Sequence, residues 1–84
     1  MLSINVRLFA LYRERLKMSE LTLMVPEGST VRDLVSHLAQ EHPNIGPLLE
    51  HTAIAVNEVY AENTQILAES DELALLPPVS GGSI

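Results

Sequence analysis

Four aliphatic side chains, Leu2, Ile4, Val6 and Leu8, alternate with Ser3, Asn5, Arg7 and Phe9 at the start of the chain. Alternation over eight residues predicts a half-buried strand, tied down by a neighbouring strand. Phe9 is the odd member of its face, because it points away from the four aliphatics. Ala10–Met18 is compatible with a short helical or irregular crossing. Alternation resumes over Glu20–Val25, with Leu21, Leu23 and Val25 on one side, and Pro26-Glu27-Gly28 closes it as a turn. These two runs form a hairpin with a long connection.

Gly28-Ser29-Thr30 opens the most strongly patterned element. Thr30 is a good N-cap, and Asp33 three residues on completes a short capping box while sitting favourably on the helix dipole. Val31, Leu34, Val35 and Leu38 follow the i, i+3, i+4, i+7 rule and make one apolar stripe; Arg32, Ser36, His37 and Gln40 fall outside it. Pro43 stops the helix and pushes His42 towards an extended conformation.

After a loop containing Asn44, Gly46 and Pro47, Thr52–Val56 reads as a buried strand, Asn57-Glu58 as a turn and Val59-Tyr60 as its return. Ala61–Ser70 is polar and irregular, with Ile66 and Leu67 in need of cover. A last strand starts at Asp71 and runs through Leu76, where Pro77-Pro78 forbids further pairing inside a sheet. The order strand, strand, helix, strand, short strand, strand predicts an α+β roll: one main helix packed on a mixed sheet. Residues 1–76 make the domain and residues 77–84 an extended C-terminal tail. There is no internal repeat or low-complexity segment.

Composition narrows the chemistry. With 84 residues the chain is one domain, and with no cysteine it has no disulfide framework, zinc-thiolate site, iron–sulfur cluster or thiol nucleophile. Five Lys and Arg against eleven Asp and Glu give a net charge of −6. That balance argues against nucleic-acid backbones and anionic membranes, and favours a basic partner surface. No apolar run reaches the roughly 18–20 residues that span a bilayer, and residues 1–25 lack the pattern of a secretory signal, so a cytoplasmic location is expected.

His37 and Glu41 stand four apart on the helix, a spacing able to hold a metal. A third ligand would have to come from His42 or His51, off the helix stripe, so solvated polar positions are the better reading and no metal site is expected. Glu69, Asp71 and Glu72 read as a charged turn, since catalytic carboxylates need a cleft that separates their pKa values. Neither a G-x-x-x-x-G-K-[ST] nor a G-x-G-x-x-G element is present, which leaves no nucleotide-phosphate cradle.

The tail carries the remaining signal. Leu75-Leu76-Pro77-Pro78-Val79-Ser80-Gly81-Gly82 passes from a strand through a stiff diproline into two glycines. Diproline holds the chain extended, and consecutive glycines enter a channel too narrow for any other residue. Fully extended, Pro77–Gly82 reaches about 20 Å, at roughly 3.3–3.6 Å per residue. Frayed termini are common, but a rigid diproline followed by Gly-Gly fits a segment inserted into another protein. Phe9 faces away from the core strand face, Leu76 does so if Leu73 and Leu75 face inward, and Tyr60 can join them. The result is an apolar patch beside the tail, suited to a partner. Arg7 and Arg13 are candidates for added polar contacts there.

Pro77–Gly82 (PPVSGG), the strand from Asp71-Glu72 to Leu76, the Ala55-Val56-Asn57 turn, Leu8-Phe9-Ala10 and the Pro26–Val31 entry to the helix together resemble the small, sulfur-carrying subunit of molybdopterin synthase. The resemblance covers the whole chain and implies the ubiquitin-like β-grasp fold. It also implies a chemistry. An activating enzyme adenylates the C-terminal glycine carboxylate with ATP, and a sulfur donor converts it to a thiocarboxylate. The large synthase subunit then uses that sulfur to thiolate cyclic pyranopterin monophosphate in molybdenum cofactor biosynthesis. The sulfur-bearing position falls on Gly82, with Gly81 beside it. The family's interface positions fall on Phe9, Tyr60 and Leu76, and the tail residues Pro77, Pro78 and Val79 together with Arg13 are the further candidates for partner contact. No cofactor is expected on this chain, because ATP belongs to the activating enzyme and the pterin to the large subunit. The chain is then the sulfur-donating part of a heteromeric sulfurtransferase and not a catalyst alone.

The chain departs from this pattern at one place: Ser83 and Ile84 follow Gly82, where the chemistry needs a free carboxylate. A precursor trimmed by a protease, a relative that only binds, and a residue pair introduced by cloning all accommodate this. Alternatives to the leading reading are the sulfur carrier for thiamine synthesis, a ubiquitin-like module that binds or modifies proteins through its tail, and, lowest, an enzyme using the scattered carboxylates.

Overall fold

The computed structural model describes residues 1–76. Five strands form one sheet: β1 (Leu2–Leu8), β2 (Glu20–Val25), β3 (Ala53–Val56), β4 (Val59–Tyr60) and β5 (Glu72–Leu76), in the order β2-β1-β5-β3-β4. β1 is antiparallel to β2 and parallel to β5, while β3 is antiparallel to both β5 and β4. This is the mixed sheet expected of a β-grasp. The helices are α1 (Ala10–Leu16), α2 (Val31–Glu41) and the single turn α3 (Gly46–Leu49), which follows a 3-10 turn at Pro43–Ile45.

Alternation sorts the strands. Leu2, Ile4, Val6 and Leu8 of β1 are buried, as are Leu23 and Val25 of β2, Ile54 and Val56 of β3, and Leu73 and Leu75 of β5. They pack against Val31, Leu34 and Leu38 of α2, and the three helical side chains are fully enclosed. The capping box is present: Asp33 N–H donates to the Thr30 hydroxyl oxygen at 3.2 Å, and Thr30 N–H to the Asp33 carboxylate at 3.0 Å. Asn57 and Glu58 both have positive φ (51° and 72°), the requirement of a type I′ hairpin turn between β3 and β4.

Two expectations need correction. The segment expected as a loop, around Asn44, Gly46 and Pro47, is helical over Pro43–Ile45 and Gly46–Leu49. Proline at the first turn of each piece needs no hydrogen-bonded N–H, and the two turns bury Ile45 and Leu49. Leu67 is covered, but Ile66, expected to need cover as well, is 66% exposed in an isolated bridge to Thr30. The crossing Ala10–Met18 resolves as α1. Fully buried Tyr12 anchors it: the Tyr12 hydroxyl donates to the Leu48 carbonyl at 3.1 Å and shares a hydrogen bond with the Thr52 hydroxyl.

Leu34→Ala removes an enclosed side chain between helix and sheet and is expected to cost about 2–5 kcal/mol. Thr30→Ala breaks one half of the capping box and is expected to cost about 1 kcal/mol. Urea unfolding followed by circular dichroism measures both; equal losses would mean that α2 is not held by its apolar stripe.

Candidate functional site

The sheet face opposite α2 carries the candidate surface. Strand register lines up Glu20, Arg7, Ala74, Ala55 and Tyr60 across all five strands, and Leu76 with Ala53 in the next row. Phe9 follows Leu8, which pairs with Leu75, and its extended backbone (φ −123°, ψ 155°) carries the alternation one step further. Phe9 therefore stands on the same face as Arg7, beside Leu76. Tyr60 is 77% exposed and Phe9 37%, while Leu76 is half-buried. The face has an alanine floor, exposed at Ala53, part-exposed at Ala74 and already buried at Ala55, walled by Phe9 and Leu76 on one side and Tyr60 on the other.

Sequence reasoning missed the floor. Alanine is depleted in strands, and three alanines on one face of β3 and β5 were the available signal: they keep that face flat enough for another surface to approach. Arg7 stands at the edge of this floor. Its guanidinium lies 5.6 Å from the centre of the Phe9 ring and 3.8 Å from the Glu72 carboxylate. Both contacts are partly exposed, so the ion pair contributes little stability, but together they hold the cation over the face.

The sheet also places the end of the described chain. β5 is central, hydrogen-bonded to β1 on one side and β3 on the other, and its last residue, Leu76, lies at the end of the sheet where Phe9 and α1 begin. Arg13 is exposed on α1 at this same end. Pro77, Pro78, Val79, Gly81 and Gly82, together with Ser83 and Ile84, lie outside the described residues.

The other candidates have structural roles. Glu69 accepts from Ser3 N–H at 3.0 Å, and Asp71 from Ala68 N–H at 2.8 Å and from the Asn57 amide at 2.9 Å. The Asn57 side-chain oxygen in turn accepts from Glu72 N–H at 3.0 Å. The acidic group is thus a hydrogen-bonded turn at the entry to β5. His37 lies 3.3 Å from Glu41, both part-exposed, and no three metal-ligating side chains cluster among the described residues. An open cleft of about 410 Å³ runs between β2 and α2, lined by Met1, Met24, Pro26, Asp33 and His37 among others. Its acid, Asp33, is engaged in the capping box. No helix among the described residues is long and apolar enough to cross a membrane.

Known proteins share this architecture. The model of the ThiS family matches residues 6–82. The molybdopterin synthase sulfur carrier subunit of Arabidopsis thaliana is 38% identical over 79 residues, covering 94% of this chain and 82% of the relative. The Haloferax volcanii small archaeal modifier protein 1 superposes with a TM-score of 0.83 at 29% identity, over 94% of this chain and 100% of that one. A chain from the complex of subunits 1 and 2 of the molybdopterin-converting factor of Helicobacter pylori superposes with a TM-score of 0.70 at 26% identity, over 96% and 100%. With the family model matched from residue 6 to residue 82 and a sulfur carrier subunit 38% identical over 94% of the chain, the chain belongs to the ThiS family, alongside the molybdopterin synthase sulfur carrier subunits.

Proposed function

We propose that this chain carries sulfur on its Gly82 carboxyl group for molybdopterin synthase. The observation that carries the reading is the position of Leu76: a central strand ends beside an exposed apolar face, and Pro77-Pro78-Val79-Ser80-Gly81-Gly82 follows it in the sequence. Kinship with sulfur carrier subunits over 94% of the chain supports the same reading.

The chemistry begins once Ser83-Ile84 is removed and Gly82 ends in a carboxylate. An activating enzyme joins that carboxylate to the α-phosphate of ATP, releasing pyrophosphate and leaving an acyl adenylate. Hydrosulfide delivered by a sulfur donor displaces AMP, so that a C–S bond replaces the C–O bond to phosphate and a thiocarboxylate results. The thiocarboxylate sulfur then adds to the cyclic pyranopterin monophosphate bound by the large subunit, and water returns the glycine carboxylate. A chain without cysteine has no thiol to compete for the sulfur. Docking is the work of the sheet face: Phe9, Tyr60 and Leu76 bury against the large subunit, Arg13 adds a polar contact, and Pro77, Pro78 and Val79 line the entry of the tail.

A second reading has its own support, since the chain superposes on a small archaeal modifier protein at 29% identity. In that reading the activated Gly82 forms an amide with a lysine of another protein. Intact-mass analysis separates the two. The protein ending at Gly82, incubated with its activating enzyme, ATP and a sulfur donor, is expected to gain about 16 Da, the difference between sulfur and the oxygen it replaces. Lysine-linked conjugates without that gain would support the modifier, and neither product would contradict both.

Phe9→Ala and Tyr60→Ala are expected to weaken binding of the large subunit by about 1–3 kcal/mol each, measured by calorimetry. Tyr60 is 77% exposed, so its effect on unfolding should stay within about 0.5 kcal/mol, and that of Phe9, 37% exposed, within about 1 kcal/mol. Weakened binding with an equal loss of stability would contradict a docking role.

A further inference from the structure

The chain's net charge hides a strong polarity. Residues 7–17 carry Arg7, Arg13, Arg15 and Lys17 against Glu14, whereas the remainder of the chain carries Arg32 against ten acids. Residues 57–72 hold Glu58, Glu62, Glu69, Asp71 and Glu72 and no Lys or Arg. The sheet sets Arg13, Arg15 and Lys17 at one end and Glu58, Glu69 and Asp71 at the other, with Arg7 and Glu72 meeting between them at 3.8 Å. α1 caps the end where β1 and β5 finish, and the Asn57-Glu58 turn and the entry to β5 lie at the other end, where Ser3 meets Glu69 and Ser70. Six residue steps of β1 separate the ends, about 20 Å at roughly 3.3 Å per step. That exceeds two Debye lengths at physiological salt, so a partner meets each end as a separate field.

At the α1 end, Glu14, Glu20 and Glu50 are the opposing acids. Arg13, Arg15 and Lys17 are exposed, and none forms an ion pair with another described residue. Local folding explains them only in part. Arg13 and Arg15 lie in the last turn of α1 and complement its dipole. Lys17 sits in the left-handed C-cap position (φ 60°), where no charge is required.

We propose that the α1 crossover is the leading surface in docking, and that the protein receiving the tail carries a carboxylate-rich rim around its entry, facing Arg13, Arg15 and Lys17. This rests on the reading that the tail is delivered into a partner. It also reverses the expectation drawn from net charge, that a basic surface suits the chain: Arg13, Arg15 and Lys17 sit beside the exit of β5, and the acids of the Asn57-Glu58 turn and of the entry to β5 sit at the far end. A chain with a surplus of acids approaches an acidic rim productively in one orientation, cations and tail first, and the opposite orientation is repelled. Such steering acts on the rate of encounter more than on the lifetime of the complex.

Stopped-flow association with the large synthase subunit from the same organism, at 50 and 500 mM NaCl, tests the surface. Arg15→Glu with Lys17→Glu is expected to lower kon about tenfold at low salt and about twofold or less at high salt, with koff changed by less than about threefold. Arg15→Gln with Lys17→Gln, which spares the helix end an adverse charge, should fall between this and the wild type. Glu27→Gln with Glu58→Gln, exposed at the far end, should leave kon within about twofold. If the wild type binds but kon is indifferent to Arg15 and Lys17, or if the far-end pair changes it equally, the surface is overturned while the carrier reading stands. A wild type that does not bind the subunit overturns the carrier reading and this surface with it.

Discussion

Asn5 and Glu72 lie 67 positions apart, yet they pair side by side where β1 and β5 run parallel at the centre of the sheet. Parallel neighbours cannot be joined by a tight turn, so everything between them must serve as crossover. α2 fills that role, and its stripe of Val31, Leu34 and Leu38 is buried against the inner face of the strands. Because β5 is paired with both β1 and β3, Leu76 stands at the end of a central strand.

The two faces of that sheet then do different work. The inner face is a close-packed core whose side chains come from every strand except β4. The outer face is flat where Ala53, Ala55 and Ala74 lie and raised where Phe9, Leu76 and Tyr60 stand. The hydrogen bonds among Asn57, Asp71, Ala68 and Glu72 lock the entry to β5 at the acidic end. Tyr12 locks α1 over the loop before β3 at the other end. Hydrogen-bonded contacts therefore flank the sheet at both ends, and Arg13, Arg15 and Lys17 are exposed beside the end of β5.

Much of this was legible in the residues. The alternation of Leu2, Ile4, Val6 and Leu8, the capping pair Thr30 and Asp33, and the period of Val31, Leu34 and Leu38 each follow from local geometry, and each is found in place. The outward direction of Phe9 and Leu76 followed from the same counting. Less legible were features that depend on contacts between distant segments. The helical turns around Pro43 and Pro47 form because Ile45 and Leu49 find cover in the core, which no local period announces. The alanine floor exists only when β3 lies beside β5, a register that the chain does not spell out. Ile66 and Leu67 are adjacent, so their side chains diverge, and the sequence carries no signal that Leu67 is the one that turns inward. The polarity of charge was hidden by its sum, since a total of −6 says nothing of where the cations lie.

A crystal structure of this chain bound to the large subunit of molybdopterin synthase puts the whole arrangement to one test. The expected result has Phe9, Tyr60 and Leu76 buried in the interface and Gly82 at the pterin pocket, with the acidic Asn57-Glu58 end facing solvent. Gly82 folded back on its own domain, or the alanine floor left open to solvent in the complex, would contradict it.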